Sequence, residues 1–216
     1  MVGVYVTVPV ACFRRGSARE YLETEPLPPP ATCYGFLLSL VGETDRRRHI
    51  GCRVTPVLLN SPPTSVVLRT VWRVKKMPLG SPGNTRPDYQ QLVTGTHVLI
   101  WIDSAGEAGG GLESRVQTTL TDPAGVTRFG GLSLGESTHL VDEVSPWERV
   151  KPRIAARTGR AFLTAPRGRF TFPVWVDHVG SAGTRYATGD LEEVPLDQPP
   201  AAHRLPVISP DALLKG

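Results

Sequence analysis

The chain has few cysteines and no motif that would pair them. Cys12, Cys33 and Cys52 contain no Cys-x-x-Cys spacing, and an odd number leaves one thiol over in any disulfide scheme. This pattern argues against a disulfide framework and a structural zinc site, and it is typical of a reducing compartment. We therefore predict no metal and no cofactor.

The sequence also lacks a long apolar run. Pro9 and Arg14 interrupt the apolar stretch near the N-terminus, no basic region precedes it, and no later segment approaches the length of a membrane span. We expect a cytoplasmic protein without membrane contact.

Lysine is scarce, whereas arginine is abundant. Of the 24 basic residues, four are Lys and twenty are Arg, and the net charge is +4. Arginine presents a planar fork of donors to phosphate and can stack on bases, so this bias favours RNA as a partner. A GC-rich genome would raise the arginine content without any such role, and composition alone leaves both explanations open.

Glycine and proline are frequent, at 22 and 21 of 216 residues. Such a composition predicts many turns and few long helices, so strands should dominate. The length allows one domain, or a main domain with a small appendage.

One helix is clearly indicated after the proline run at 28–30. Apolar residues follow the i, i+3, i+4, i+7 spacing of a helix with one buried face, at Tyr34, Leu37, Leu38 and Val41. Pro29 or Pro30 fits a first turn, Thr32 is a candidate cap, and Gly42 is placed to end the helix.

The solvent side of this helix carries small residues, Thr32, Gly35 and Ser39. Free amides at a helix start beside small side chains would let a phosphate approach the backbone. A plain core helix is the competing interpretation.

The remaining pattern predicts strands at 2–10, 54–59, 65–75 and 92–103, a helix at 112–120, and a glycine-rich loop at 128–140 that leads into a strand at 140–144. Strand, helix, two strands, helix, strand is the order of an α+β, ferredoxin-like, RRM-type domain, here residues 1–145. The strands around 65–103 should form a long β-hairpin, a protruding thumb, with an apolar face that includes Leu68 and a basic face that includes Arg69.

Residues 146–216 form a different region, which is rich in proline and arginine. We predict a small basic β-rich C-terminal extension. Its tail from Pro195 has few apolar anchors, so we expect it to lie on the surface or to depend on a partner.

Several segments resemble, in order, the Cas-five family of CRISPR-associated RAMP proteins, and the resemblance covers most of residues 1–145. They are the N-terminal strand, the loop with Phe13-Arg14, the helix PPPATCYGFLLSLVGE, the arm segment TRPDYQQLV and the loop GGLSLGESTHL.

The resemblance implies an RNA-binding subunit of a type I Cascade complex, an antiviral ribonucleoprotein. Such a subunit holds the 5′ handle of the crRNA and caps the filament of backbone subunits. Its thumb folds over the guide RNA, a large subunit docks beside it, and it meets target DNA indirectly, through the complex.

The aromatic signature through which an RRM sheet binds RNA is absent, so we expect RNA contact from loops. The candidates are basic residues and residues of the glycine loop: Arg14, Arg15, Arg46, Arg47, Arg48, Arg73, Lys75, Lys76, Met77, Arg86, Gly130, Gly131, Ser137 and His139. The run at 46–48 is equally compatible with a solvated turn, and Met77 with packing on a neighbouring subunit.

Some members of the family cleave precursor crRNA with a Tyr and an adjacent Lys-His pair, and this chain contains no Lys-His dipeptide. Tyr34, Tyr89 and His97 could act as acids or bases, but a solitary strand histidine is more often a packing residue. We expect no catalysis. The alternatives are a metal-independent crRNA-processing endoribonuclease, a structural adaptor that makes mainly protein contacts, and a general single-strand binding protein.

Overall fold

The structure is a computed structural model that describes residues 1–16, 21–72, 78, 80–179 and 181–211, without the side chains of residues 71, 72, 82 and 86. The strands are β1 (Val2–Ala11), β2 (Tyr21–Leu22), β3 (Arg53–Leu58), β4 (Thr64–Trp72), β5 (Thr85–Asp103), β6 (Glu143–Pro146), β7 (Thr158–Thr164), β8 (Phe170–Trp175) and β9 (Arg185–Pro195). The helices are α1 (Pro30–Leu40), α2 (Leu112–Thr121) and α3 (Trp147–Val150).

Within these described ranges, nine strands form one sheet. Seven follow the order β6-β1-β5-β3-β7-β9-β8, and β2 and β4 pair with β5 outside this path. All pairs are antiparallel except that of β2 with β5. The fold is mixed and dominated by its sheet, as the composition predicts.

Both faces of the central sheet are covered, because alternate residues of β1 and β5 enter two separate cores. Val6 and Ile100 pack in the core under α1 and α2. Tyr5 and Trp101 point to the other face, where they pack with Trp147 of α3. The central part of the sheet is therefore covered on both faces by packed side chains.

Helix α1 confirms the predicted helix but not its predicted cap. Pro29 occupies the N-cap without a side-chain hydrogen bond, and Thr32 lies inside the helix. The C-terminal end is the predicted one: Gly42 has a φ of +66°, its N–H donates to Ser39, and the N–H of Glu43 donates to Leu38. This pair of hydrogen bonds closes a helix through a residue in the left-handed conformation, which favours glycine.

The predicted hairpin, or thumb, is present, and we call it the arm. β4 pairs with the first part of β5, from Thr64 opposite Val93 to Trp72 opposite Thr85, and β5 then continues into the centre of the sheet. The apolar face predicted around Leu68 is turned to solvent, with Leu68 63% and Tyr89 54% exposed.

The C-terminal region corrects one expectation. The chain beyond Pro195 is anchored, because Leu205 and Ile208 are buried in the two cores, and Ile208 exchanges backbone hydrogen bonds with Gly51 and Cys52 at the start of β3. β7 joins the sheet directly beside β3. The predicted division at residue 145 stays a prediction.

Candidate functional site

A cavity of about 370 Å³ lies between α1, the glycine loop and the end of β8. We call it the α1 groove. Its lining combines small, apolar and polar residues: Ala31, Thr32, Tyr34, Gly35, Phe36, Leu38, Ser39, Arg46, Ser133, Gly135, Val174, Trp175, Val176 and His178. Three segments therefore meet at one place, namely helix α1, the basic turn at residues 46–48 and the glycine loop.

The helix wall of the groove is the small-residue side of α1. Gly35 is exposed, and a Cβ built on it would meet no atom within 4 Å. The neighbouring Thr32 and Ser39 are short and carry hydroxyl groups that can donate or accept hydrogen bonds. A ligand can thus approach the helix backbone closely along this side.

The start of α1 contributes less than the sequence suggests. Pro30 has no amide hydrogen, and the N–H groups of Thr32 and Cys33 both donate to the Pro29 carbonyl. The first turn therefore has few free amides for a phosphate, and the small residues of the helix side form the accessible surface instead.

Arg46 forms one edge of the groove. Its guanidinium carbon lies 3.9 Å from the centre of the Trp175 ring, and its Nη2 donates a 2.7 Å hydrogen bond to the Val176 carbonyl. A cation over a tryptophan face is a favourable contact, so Arg46 is held in place before any ligand arrives.

The other two arginines of the basic turn point elsewhere. Arg47 is exposed and lines a second cavity of about 420 Å³ together with Arg46, Trp175, Asp177 and Asp211. Arg48 donates to Glu43 at 3.2 Å. The three adjacent cations thus have three different environments.

Glu43 belongs to an ionic network behind the basic turn. The Arg115 guanidinium donates to Glu43 Oε2 at 2.5 Å and to the Val41 carbonyl at 3.1 Å. The hydrogen bond from Arg115, followed by that from the Asp45 amide, lowers the pKa of Glu43 to about 2. The network fastens the end of α1 to α2.

The glycine loop is ordered by hydrogen bonds around His139. Its Nδ1 accepts from the backbone N–H groups of Cys12 at 3.2 Å and Glu136 at 3.1 Å, so the ring proton of the neutral form is on Nε2. Burial lowers the pKa of His139. Gly135 has a φ of +105°, and a Cβ there would lie 2.9 Å from the Cys12 carbonyl oxygen, so this position requires glycine.

Glu136 connects the glycine loop to the base of the arm. Its two oxygens accept from Gln90 of β5 at 3.0 Å and from Arg69 of β4 at 3.3 Å. Arg69, from the predicted basic face of the arm, is therefore paired with the glycine loop. Glu136 holds the arm and the glycine loop together.

The other glycine-loop candidates do not line the groove. Gly130 and Gly131 are exposed, and Gly131 lines a separate apolar cavity with Leu140. Ser137 is exposed in the turn that precedes His139. The strand predicted at 140–144 begins later, at Glu143, because residues 133 and 140 form an isolated bridge that closes the loop.

The N-terminal candidates lie beside the arm base. Arg15 approaches Glu25 at 3.4 Å and Glu23 at 3.7 Å, so its charge is partly balanced within the chain. Arg14 is exposed in a bridge with Thr24.

The arm candidates Arg73, Lys75, Lys76 and Met77 lie outside the described residues, as does the side chain of Arg86. Among the residues that the structure does describe, no cluster of three His, Cys, Asp or Glu side chains could hold a metal ion. None of its described helices is long and apolar enough to cross a membrane.

The chain is 53% identical over 212 residues to the CRISPR-associated protein Cas5 of Myxococcus xanthus (strain DK1622), and the alignment covers 96% of this chain and 97% of the relative. This chain belongs to the Cas5 (Cas-five) family. No protein-family model matches it.

Two solved structures share the fold of this Cas5-family chain. One is a chain of a CRISPR RNA-guided surveillance complex, with a TM-score of 0.60, 13% identity and 89% of each chain covered. The other is a crystal structure of a Cas protein, with a TM-score of 0.50, 14% identity, and 97% of this chain and 99% of that chain covered. At such low identity the comparison describes the fold.

The candidate acid and base residues of this Cas5-family chain are not brought together. Tyr34 is buried under the α1 groove, donates to the Arg46 carbonyl, and has its pKa raised by burial. His97 lies on the opposite face of the sheet, where its Nδ1 is 2.8 Å from the hydroxyl of the buried Tyr5. Tyr89 is exposed on the arm.

Sequence reasoning missed several residues of the groove, among them Ser133, Gly135, Trp175 and His178. Gly135 was inside the predicted glycine loop but was not distinguished from its neighbours. Trp175 and His178 come from the C-terminal region, and no local pattern places the end of a late strand beside α1.

Proposed function

We propose that this Cas5-family chain is a non-catalytic, RNA-binding subunit of a type I Cascade complex that holds the 5′ handle of the crRNA in the α1 groove. The observation that carries the proposal is the meeting of the small-residue side of α1, Arg46 and the glycine loop around one cavity. The kinship with Cas5 and the fold shared with a surveillance-complex chain support it.

The chemistry of the groove suits a single strand. The hydroxyl groups of Thr32, Ser39 and Ser133 can bind phosphate and ribose, and Arg46 adds a fixed positive charge. Its volume falls in the lower part of the range of about 300–1,000 Å³ for small-ligand pockets, so it can take a small part of a strand, such as one base or ribose.

We also propose a ferredoxin-like core. The order β6-β1-β5-β3 in the sheet, with α1 after β1 and α2 after β5, supports this topology, because it is an antiparallel four-stranded sheet built from a βαββαβ chain. The arm is then an extension of the second hairpin, and β7 to β9 extend the sheet beyond β3.

The arm offers an exposed surface to which protein partners could bind. Its exposed side chains Val66, Leu68 and Tyr89 form an apolar surface at neighbouring positions of the β4–β5 hairpin. Exposed apolar patches of this kind mark contact sites with other subunits. We assign this surface to a Cascade neighbour, either a backbone subunit or the large subunit, with target DNA reached through the assembled complex.

We propose binding without cleavage, because the separation of Tyr34, Tyr89 and His97 offers no pair that could share a substrate. Incubation of the pure chain with its repeat RNA in chelator tests this, with intact RNA as the expected result. Cleavage that His97→Ala or Tyr34→Phe abolishes would establish the endoribonuclease alternative.

Purification of the tagged chain from its host, with sequencing of the bound RNA, tests the assignment as a guide holder. We expect RNAs that share one repeat-derived 5′ segment, together with other Cascade subunits. Unrelated RNAs would indicate a general single-strand binding protein, and protein partners without RNA would indicate an adaptor.

A further inference from the structure

Arg46 has a geometry that phosphate binding alone does not require. A phosphate partner needs only a charge within reach, whereas Arg46 is oriented by two contacts, the Trp175 ring and the Val176 carbonyl. The guanidinium carbon lies over the Trp175 ring, so one side of the group is against the ring and a further planar group would have to approach from the other side.

Trp175 itself is not the stacking surface. Its side chain is 6% exposed, with Arg46 over its ring and the Tyr34 ring centred 6.5 Å away. Arg46 is partly exposed and lines the groove together with Trp175, so the side of its guanidinium away from the ring is the flat surface that a ligand could meet there.

The rest of the groove leaves space beside that surface. Gly35 has no neighbour within 4 Å of its Cβ position, and Ser39 and Ser133 are small. Their hydroxyl groups, with the exposed His178 at the rim, supply donors and acceptors for the edge of a base or for a ribose.

We propose that one nucleobase of the bound RNA turns into the α1 groove and stacks on the Arg46 guanidinium, which Trp175 supports from behind. This inference rests on the proposed function and adds to it a base-binding subsite. Stacking of a base on a guanidinium plane is a recurrent mode of single-strand recognition, and it tolerates different bases because each has a π face.

The experiment combines single abasic sites in the RNA with changes at Arg46. The RNA is the 5′ repeat-derived segment, synthesised with one abasic nucleotide at each position in turn, and its affinity for the full chain is measured. Arg46→Lys keeps the charge but loses the plane, and Arg46→Gln loses the charge as well. Arg47→Lys is the matched control, because Arg47 is an exposed neighbour outside the groove.

We expect one position at which loss of the base weakens binding by about 5- to 150-fold in the wild type. In Arg46→Lys the same abasic site should reduce the RNA affinity little further, because the stacking partner of the base is already missing. In Arg47→Lys the abasic site should reduce the affinity as much as in the wild type. Thermal unfolding of each variant distinguishes a lost stack from a misfolded groove, since a variant that only loses the stack should still unfold cooperatively, close to the wild-type temperature.

Two results would overturn the inference. If the wild type binds the intact RNA and no abasic position is coupled to Arg46, there is no base subsite, although the chain still holds the guide. If the wild type does not bind the RNA at all, the proposed function fails and the subsite fails with it.

Discussion

At the scale of single residues, Gly35 is the position where stability and binding can be separated. It lies in the middle of α1, exposed and without a steric reason for glycine. Glycine inside a helix is less stable than alanine by roughly 0.5–1 kcal/mol. Its presence at the groove fits a surface that a ligand must approach closely.

Gly35→Leu should raise helix stability but fill the groove. We expect thermal unfolding at or above the wild-type temperature, with RNA affinity reduced at least about tenfold, which corresponds to roughly 1.4 kcal/mol. Gly35→Ala should stabilise the chain and bind RNA nearly as well, since it adds one methyl group. Gln117→Leu, on the exposed side of α2, is the matched control; equal binding by all variants would exclude the groove as the RNA site.

The depressed pKa of Glu43 predicts a specific loss of stability in acid. Because the folded pKa is about 2 and the ordinary value is 4.5, the contribution is fully present above pH 4.5 and is lost as the pH falls towards 2. Urea unfolding of the wild type and Glu43→Gln should therefore differ clearly at pH 6 and converge near pH 2. A constant difference across this range would contradict the Arg115–Glu43 pairing.

Residue roles were the least predictable part of the site. Arg46, Arg47 and Arg48 are equivalent in sequence, yet one contacts Trp175, one is exposed and one pairs with Glu43. Which contact each arginine makes depends on where Glu43 and Trp175 lie in the folded chain. His139 has polar partners in the backbone of Cys12, 127 positions away, which no local pattern records.

At the scale of secondary-structure elements, the arm is joined to the groove through Glu136. The carboxylate accepts from Arg69 and Gln90, one on each strand of the arm. A partner that displaces the arm would therefore pull on the glycine loop. The arm adds little to the cores, since its strand β4 is exposed from Thr64 to Leu68.

Replacing residues 73–84 by Asn-Gly should leave the fold intact. The backbone pair Trp72–Thr85 ends the described part of the hairpin, and Asn-Gly forms a tight two-residue turn between paired strands. We expect the same unfolding temperature within about 2 °C, with weaker assembly in pull-downs of the complex. A parallel loss of stability and assembly would instead make the outer arm part of the folding core.

Elements with a strong internal pattern were predictable, and those defined by remote pairing were not. The alternation of valines in β1 and the apolar spacing of α1 depend on local sequence. The start of β6 at Glu143 depends on pairing with β1, and the Ser133–Leu140 bridge takes up the residues that precede it. The arm was recognisable because two strand patterns flank a long polar connection.

At the scale of the whole molecule, the C-terminal region belongs to the same architecture as the rest. β8 supplies Trp175 to the groove, and Ile208 is completely buried in the core under α1. The sequence suggested a loosely attached tail because its apolar residues are sparse. These few apolar residues anchor the tail because its backbone pairs with the chain at the start of β3.

Ile208→Ala should therefore destabilise the entire chain, by about 2–4 kcal/mol, as expected for a truncated side chain in a closed core. Urea unfolding followed by tryptophan fluorescence would measure it. Val207→Ala, at the half-buried neighbouring position, should cost clearly less. Equal small effects at both positions would show that the tail is dispensable.

The central claim is that the α1 groove holds the 5′ handle of the guide, and photo-crosslinking tests it most directly. The assembled complex would carry crRNA with a photoreactive uridine in the 5′ segment, and the crosslinked peptides would be identified by mass spectrometry. The account predicts crosslinks to the 30–46, 133–139 and 174–178 segments, which lie around the groove. Crosslinks confined to the surface of α3, on the other face of the sheet, would contradict it.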